Sequence, residues 1–265
     1  MAEEYLKEVQ LPSKGLFYDG QIPDGLICIE PMGTKEEKLF ASGKSAGSEV
    51  INKIFDSCVT SPISHKDLVL GDRLFLLLQI RAISYGDKYS FPFRCTECGS
   101  KSWATLDIPE IPIRYADDNA GSTFTVELPI LKHKLELRLL TGIDEDKVKK
   151  YSNQLNKKTK GNADDSTMIY RLARRIEAID DEPCGIREAM ELVEKLKGMD
   201  SNYLKDEIEA HDIGPEILVE PDCNSCGYEN GPFIMPFDSE FFRPRRHRTG
   251  AKDHIRTAEA IDAPR

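Results

Sequence analysis

The chain of 265 residues has 40% hydrophobic residues and a formal net charge of −10, values that are typical of a water-soluble globular protein. The negative charge would repel polyanions, so nucleic acid is an unfavourable partner for the chain as a whole. The longest apolar run, Leu74–Ile80, is far shorter than the roughly 20 residues that span a bilayer, so no membrane segment is expected. Seven cysteines, four of them in CxxC pairs, favour the reducing cytosol over a disulfide-linked secreted protein.

Residues 1–86 are predicted to form an N-terminal arm and a small α+β region. Pro12 and Gly15 punctuate the segment Leu11–Tyr18, which indicates an extended arm containing a turn. Asp72 is expected to act as the N-cap of the helix that follows it. The predicted elements are a strand at Leu26–Ile29 and helices at Lys35–Ala41, Glu49–Cys58 and Arg73–Ser84.

Two predicted β-hairpins, residues 87–108 and 220–244, carry the two CxxC pairs. Apolar and polar residues alternate in Asp87–Arg94, as is typical of a strand, and Trp103–Ile108 is the expected returning strand. In the second hairpin the expected strand is Phe233–Phe237. Each CxxC pair would then lie at the tip of a hairpin, which is the arrangement of a zinc ribbon.

Residues 109–219 separate the hairpins and are predicted to be a β/helical insertion. The insertion is expected to open with strands at Thr123–Leu128 and Leu135–Leu139. Four helices are then predicted, at Asp144–Leu155, Ser166–Ile179, Gly185–Leu196 and Ser201–His211. An apolar stripe at helical spacing predicts that the second of them buries a face formed by Met168, Leu172, Ile176 and Ile179.

The fold class is therefore predicted as α+β, with zinc-ribbon-like β-hairpins and a mostly helical insertion between the two CxxC knuckles. Residues 245–265 lack apolar periodicity and begin with the cluster Arg245–Arg248, which predicts a basic, disordered tail. Residues 243–265 contain seven Arg or Lys and three Asp or Glu, so the remainder of the chain carries a formal charge of about −14.

Four cysteines are predicted to form one tetrahedral structural zinc site: Cys95, Cys98, Cys223 and Cys226. Thiolate is a soft ligand that suits Zn²⁺, and the CxxC spacing lets one turn direct two sulfurs at the same metal. Gly99 and Gly227 follow the two pairs, as a knuckle that requires positive φ would favour. Since four sulfurs fill the coordination sphere, the predicted metal is structural and not catalytic.

The spacing of the cysteine pairs leaves other interpretations open. The 124 residues between Cys98 and Cys223 far exceed the roughly 15–20 of a compact ribbon, so the zinc prediction requires the intervening segment to be an insertion. The alternatives are a vestigial ribbon without metal, a disulfide, a redox CxxC or unlinked buried thiols. A redox pair would prefer a βαβ context that neither site has.

A search for catalytic motifs favours a protein that is not an enzyme. The sequence has no Gly-rich dinucleotide or phosphate loop, no HExxH and no nucleophile elbow. His65, His133 and His211 are scattered, and we expect them at the surface or at helix ends. A metal-dependent enzyme would require a zinc site with fewer than four sulfurs, and no residue pattern supplies another ligand.

The order of several short motifs resembles one protein family. The start, Leu11–Tyr18, is similar to the LPSKG-x-x-Y opening of base-plate proteins of contractile-tailed bacteriophages. Further along, Asp200–Leu204, His211–Pro215, Cys223–Gly227 and Phe241–Pro244 follow in the order of the hub-assembly, chaperone-like base-plate family of T-even-like phages and prophages. The similarity covers most of residues 11–244, and the basic tail has no counterpart in it.

The resemblance implies a non-enzymatic component or assembly factor of the tail base-plate hub. Its expected locations are the host cytoplasm during assembly and the tail base plate of the virion. Its expected partners are base-plate hub or wedge proteins. From composition and charge, no membrane partner is expected and nucleic acid is an unfavourable partner. The arm would supply the partner contacts through Leu11, Leu16, Phe17 and Tyr18. An arm packed on its own domain is the alternative.

A zinc-ribbon nucleic-acid-binding protein, for example one related to transcription, is the alternative function. Such a protein would use Arg94, Lys101, Trp103 and the cluster Arg245–Arg248. The strongly negative remainder of the chain argues against it.

Overall fold

The computed structural model describes residues 6–39, 48–159, 164–237 and 239–242. The predicted basic tail, residues 245–265, lies outside these residues, as do residues 40 and 41 of the predicted helix Lys35–Ala41 and residues 238, 243 and 244 of the second predicted hairpin. No helix in the described ranges combines the length and the apolar character needed to cross a bilayer.

The first region combines one two-stranded sheet with three helices. Strands β1 (Lys7–Gln10) and β2 (Leu26–Ile29) pair antiparallel. Helices α1 (Thr34–Leu39), α2 (Ser48–Cys58) and α3 (Leu70–Tyr85) follow, as the apolar periodicity predicts. The predicted cap is wrong, because α3 begins two residues before Asp72.

Asp72 instead binds the N-terminal segment to α3 through hydrogen bonds. The prediction of an extended arm at Leu11–Tyr18 is therefore wrong. Residues 12–20 form successive turns, and Leu11 and Tyr18 are buried in the core. The Tyr18 hydroxyl donates a hydrogen bond to the fully buried Asp72 carboxylate, and the Ser13 N–H donates to it at 2.9 Å. Burial raises the pKa of Asp72 to about 6. Leu11 and Tyr18 therefore belong to a segment that packs on its own domain.

Strands β3 (Lys88–Arg94) and β4 (Lys101–Asp107) form the first hairpin, which confirms the predicted alternation. Tyr89 and Phe91 are buried, whereas Ser90 and Arg94 are exposed. Pro92 is the Cα partner of Trp103, whose N–H points away from β3 and donates to Asn224. The two residues therefore form a non-hydrogen-bonded pair, so the N–H that proline lacks is not needed between β3 and β4. A short 3₁₀ turn, Ile108–Glu110, ends the hairpin.

The segment 109–219 leaves and returns at one place. Strand β5 (Ile113–Arg114) near its start pairs with β10 (Gly214–Pro215) near its end. Between them lies an antiparallel sheet in the order β6–β7–β8–β9, formed by Thr123–Glu127, Lys134–Arg138, Ile176–Ile179 and Glu182–Pro183. The helices are α4 (Gly142–Thr159), α5 (Asp164–Ala173), α6 (Ile186–Lys195) and α7 (Gly198–His211).

The predicted helix Ser166–Ile179 is half wrong. Helix α5 ends at Ala173, and Ile176 and Ile179 belong to β8, which pairs with β7. Met168 is exposed and belongs to no buried stripe. In β8 the buried residues are Ile176 and Ala178, with Glu177 exposed between them, which is the alternation of a strand. A short apolar run does not by itself distinguish strand from helix, and the available edge of β7 decides between the two.

The second hairpin consists of β11 (Leu218–Val219) and β12 (Phe233–Ile234), followed by α8 (Ser239–Phe242). The strand predicted at Phe233–Phe237 is thus shorter than expected. Phe233 packs edge-on against Phe91 with ring centroids 5.9 Å apart, so the two hairpins share one core.

Two apolar clusters account for the described core. The larger one joins the N-terminal region, α3, both hairpins and α8. The smaller one lies within the segment 109–219 and brings residues from β6, β7 and β8 against helices α5, α6 and α7. The α+β class is confirmed, with more sheet in the segment 109–219 than predicted.

Candidate metal centre

The two CxxC knuckles have the same backbone structure. The Cys95 N–H donates to the Ser100 carbonyl at 3.0 Å, and the Cys223 N–H donates to the Tyr228 carbonyl at 2.9 Å. Each knuckle also closes a tighter turn, in which Gly99 and Gly227 donate to the carbonyl of the first cysteine of the pair. These glycines have φ of +69° and +70°, a conformation that glycine adopts without steric cost.

The knuckles face each other, and the four sulfurs form one cluster. The Sγ atoms of Cys95 and Cys226 are 3.8 Å apart, those of Cys98 and Cys223 are 3.7 Å apart, and all four lie within 4.8 Å of one another. A tetrahedron with metal–sulfur bonds of about 2.3 Å places its sulfurs about 3.8 Å apart. A disulfide would require about 2.05 Å, and all four thiols are free.

The cluster lies at the surface with one ligand of each pair covered. Cys95 and Cys223 are buried, whereas Cys98 and Cys226 are exposed. A metal ion could therefore enter from solvent between the knuckles. Because all four sulfurs lie within 4.8 Å of one another, four thiolates could surround such an ion and leave no position for a substrate.

Polar side chains that the sequence did not single out hold the knuckles together. The Asn224 side-chain oxygen accepts from the Trp103 N–H at 2.8 Å, and the Asn224 N–H donates to the Ser102 hydroxyl at 2.7 Å. In the opposite direction, the buried Asn230 accepts from the Thr96 N–H at 3.0 Å. Ser and Asn are common in turns, so their types alone carry no signal for this role.

Hydrogen bonds around the cluster favour thiolate on part of it. The Ser102 hydroxyl lies 3.6 Å from the Cys223 sulfur, and this contact together with nearby backbone N–H groups lowers the pKa of Cys223 to about 5. Contact with Ser100 lowers the pKa of Cys98 as well. A backbone hydrogen bond lowers the pKa of Cys226, but hydrogen bonds with the neighbouring sulfurs outweigh it and raise the value to about 12. These shifts favour thiolate at Cys98 and Cys223 and the protonated thiol at Cys226. A metal ion bound by all four sulfurs would displace the remaining protons.

The proposed partner-binding residues divide into two pairs. Leu11 and Tyr18 lie in the core and are not available to a partner in this fold. Leu16 is 42% exposed and Phe17 is half-buried. Phe17 lines a groove of about 870 Å³ together with residues 114–121 and the end of α7.

His65 has a structural environment, and its expected surface position is wrong. The ring is buried and stacks on Phe55 with centroids 5.4 Å apart. Arg73, a permanent donor, lies 2.8 Å from Nδ1, so the ring proton is on Nε2 and points at Asp56, 3.0 Å away. This arrangement ties α2 to α3.

Comparison with known proteins identifies a family. A family model described as T4 bacteriophage base plate protein matches residues 10–242. Neither the curated proteins nor the solved structures give a match to the chain. The matched range includes both knuckles and the whole segment between them, so the four-cysteine cluster lies within the family region. The chain belongs to the T4 bacteriophage base plate protein family.

Proposed function

We propose that the protein is a non-enzymatic component or assembly factor of the phage tail base-plate hub, acting through contacts with hub or wedge proteins. The family match over residues 10–242 carries this proposal. The four-sulfur cluster supports it, because a site with its ligand positions filled serves folding and not turnover. The protein would be made in the host cytoplasm and act where the tail is assembled.

The metal of the cluster is proposed to be zinc. Four thiolates at tetrahedral spacing fit Zn²⁺, which has no geometric preference of its own, and the reducing cytosol keeps the thiols free to bind it. We expect about one zinc per chain in protein purified without chelators, measured by inductively coupled plasma mass spectrometry. A preparation with native folding and no bound metal would contradict the zinc proposal.

The proposed partner contact is the exposed part of the N-terminal turns. Leu16 projects from turns that Asp72 fixes on α3, and Phe17 lies at the adjoining groove. A preformed apolar contact of this kind loses little entropy on binding. The proposal divides the chain at residues 86, 108, 219 and 244. In this division the two hairpins bind the metal, while residues 1–86 and 109–219 provide the surface for partner proteins.

Leu16→Glu tests the contact, and Leu26→Glu is a matched control with 41% exposure on β2. Each variant is co-expressed with hub and wedge subunits and used to complement a phage lacking the gene. We expect Leu16→Glu to reduce co-purification and tail assembly, and Leu26→Glu to retain both. Equal behaviour of the variants would remove Leu16 from the contact. Absence of association with any base-plate subunit by the intact protein would overturn the function itself.

The outer face of the first hairpin favours one alternative, a nucleic-acid-binding ribbon. Arg94 is the Cα partner of Lys101, and the Lys101 ammonium lies 5.3 Å from the centre of the Trp103 ring. Cations beside an aromatic ring are what a single strand would contact. Retention of DNA in a gel at low salt, abolished by Lys101→Glu, would favour this function over the hub role.

A further inference from the structure

The free edge of β4 borders a groove that contains unpaired backbone groups. The groove has a volume of about 540 Å³ and is lined by residues 103–107 of β4 and its end, by Glu110–Pro112, and by the segment that contains β11. The N–H of Trp103 points away from β3, since it donates to Asn224. Alternation along a strand turns the backbone of Thr105 the same way, and neither its N–H nor its carbonyl has a hydrogen-bond partner among the described residues.

A second strand edge faces the same groove. The Ile217 carbonyl accepts from the Met235 N–H at 2.8 Å, so Ile217 faces the β12 side of the hairpin. The backbone of Leu218 therefore points away from β12, and Leu218 and its partner Ile234 have apolar side chains that are 60% and 65% exposed. An edge of this kind is a template for an added strand.

The charge of the groove selects the strand that fits. Five carboxylates line it and no Lys or Arg does: Asp107, Glu110, Glu216, Glu220 and Asp222. Arg114 pairs with Glu216 at 3.7 Å, whereas the other four have no salt-bridge partner among residues 6–39, 48–159, 164–237 and 239–242. Their mutual repulsion would be relieved by an occupant that carries several cations.

We propose that this groove binds the chain's own basic segment, residues 243–265, as an extended strand added to the free edge of β4. The segment has seven Arg or Lys against three Asp or Glu, and four of its arginines lie within its first six residues. Apolar residues of the segment would cover Leu218 while its arginines meet the carboxylates of the groove.

The last described residues before the segment lie beside the first hairpin. Helix α8 ends at Phe242, and the ring of Phe241 packs edge-on against Tyr89 with centroids 4.9 Å apart. Tyr89 is the Cα partner of Leu106, which lines the groove. Strands are spaced by about 4.8 Å, so the segment has to cross only one hairpin. Its 23 residues reach roughly 75 Å when extended, and a tethered strand of this length has an effective concentration of order mM.

The bound segment would protect the hairpin from unwanted pairing. An uncovered edge beside exposed Leu218 and Ile234 invites other chains, whereas the chain's own strand closes it until a competing strand displaces it. This inference does not depend on the base-plate role, because it can be tested on the isolated protein.

Two full-length variants reverse the charge on one side each: Arg245→Glu with Arg246→Glu and Arg248→Glu in the segment, and Glu110→Lys with Glu220→Lys in the groove. A third variant combines them. Glu188→Lys with Glu194→Lys, two exposed positions on α6, is the control with the same charge change as the groove variant. Hydrogen exchange of the Thr105 amide is measured by NMR, and the emission of Trp103, the single tryptophan, reports on the groove.

We expect the Thr105 amide to exchange roughly tenfold faster, with a shifted Trp103 emission, in each single-sided variant. The control should match the wild type, and the combined variant should recover protection because the charges are exchanged. Equal exchange in the wild type and the segment variant would overturn the proposal. So would protection that increases with protein concentration, since it would show that the strand comes from a second copy.

Discussion

The paired knuckles and the segment 109–219 are held together by different kinds of interaction. Each must hold together residues that are distant along the chain. The knuckles do so with four sulfurs and a few side-chain bonds to backbone N–H groups, around Asn224 and Asn230. The segment between them relies on its own apolar cluster and on a buried ion network around Asp144. With the proposed zinc ion bound, the knuckles depend on an ion from their surroundings, whereas the segment 109–219 is stabilised by its own side chains.

Removing one sulfur should separate the two regions most clearly. Cys223→Ser leaves three ligands, and because metal binding and folding of such sites are coupled, bound zinc should fall from about one per chain to nearly none. We expect altered Trp103 emission and fast amide exchange at residues 95–105, with the amides of β7 still protected. Cys184→Ser, a half-buried thiol outside the cluster, is the control and should keep the metal. Full zinc content in Cys223→Ser would refute the role of this ligand.

A cavity in the smaller core should have the opposite effect. Leu135 is fully buried in β7, and Leu135→Ala should reduce the free energy of unfolding of this region by about 2–5 kcal/mol. Zinc content should stay unchanged, because the ligands lie elsewhere. Ile130→Ala, at a position that is 51% exposed, is the control with a similar loss of side-chain volume. Loss of zinc in Leu135→Ala would mean that the regions do not fold independently.

The ion network should make the segment 109–219 sensitive to acid. Burial raises the pKa of Asp144, but hydrogen bonds from Arg138, Thr141 and Arg174 outweigh it and hold the pKa well below its usual range. The resulting stability is present above the unfolded-state pKa of about 3.9 and is lost as pH falls below it toward the folded-state pKa. Asp144→Asn should cost about 1–3 kcal/mol at neutral pH and flatten this dependence.

Chemical denaturation at several pH values measures the effect. Asp181→Asn is the control, because the Asp181 side chain is 76% exposed and its ion pair with Lys134 is a surface pair of little value. A variant at Asp144 with the acid sensitivity of the wild type would show that another carboxylate is responsible.

The smallest expected effect concerns a knuckle turn. Gly227→Ala meets no atom within 4 Å of the added Cβ, so its cost is the positive φ alone, about 1–2 kcal/mol. Gly231→Ala also enters open space but lacks the positive φ, and it should be nearly neutral. The zinc affinity of the two variants is compared by competition with a chelator. Equal affinities would show that the turn relaxes without disturbing the sulfurs.

The sequence predicted the cluster better than it predicted the surrounding contacts. The spacing of a CxxC–Gly turn is local chemistry, so the sequence alone pairs Cys95 with Cys98 and Cys223 with Cys226. Joining the two pairs in one site required the further expectation that the segment 109–219 is an insertion. Asn230 acts through a hydrogen bond to Thr96, 134 residues away, and no local pattern reports such a partner. The strand at Ile176 is likewise decided by the distant edge of β7. The sequence predicts that Leu11 is an exposed arm residue. In the structure Leu11 is buried, because Asp72 accepts a hydrogen bond from the Ser13 N–H and holds the turns that follow Leu11 against α3.

The separation of the two knuckles along the chain determines how long after the first CxxC pair the second pair is synthesised. The Cys98 and Cys223 sulfurs lie 3.7 Å apart although the residues are 125 positions apart in the chain. At about 5–20 residues per second, the ribosome delivers the second pair roughly 6–25 s after the first. During that interval Cys95 and Cys98 can hold a metal ion only with two ligands from elsewhere. Residues 109–219 are therefore made before Cys223, and the β5–β10 pairing places the start and the end of this segment side by side, so that the second knuckle lies close to the first.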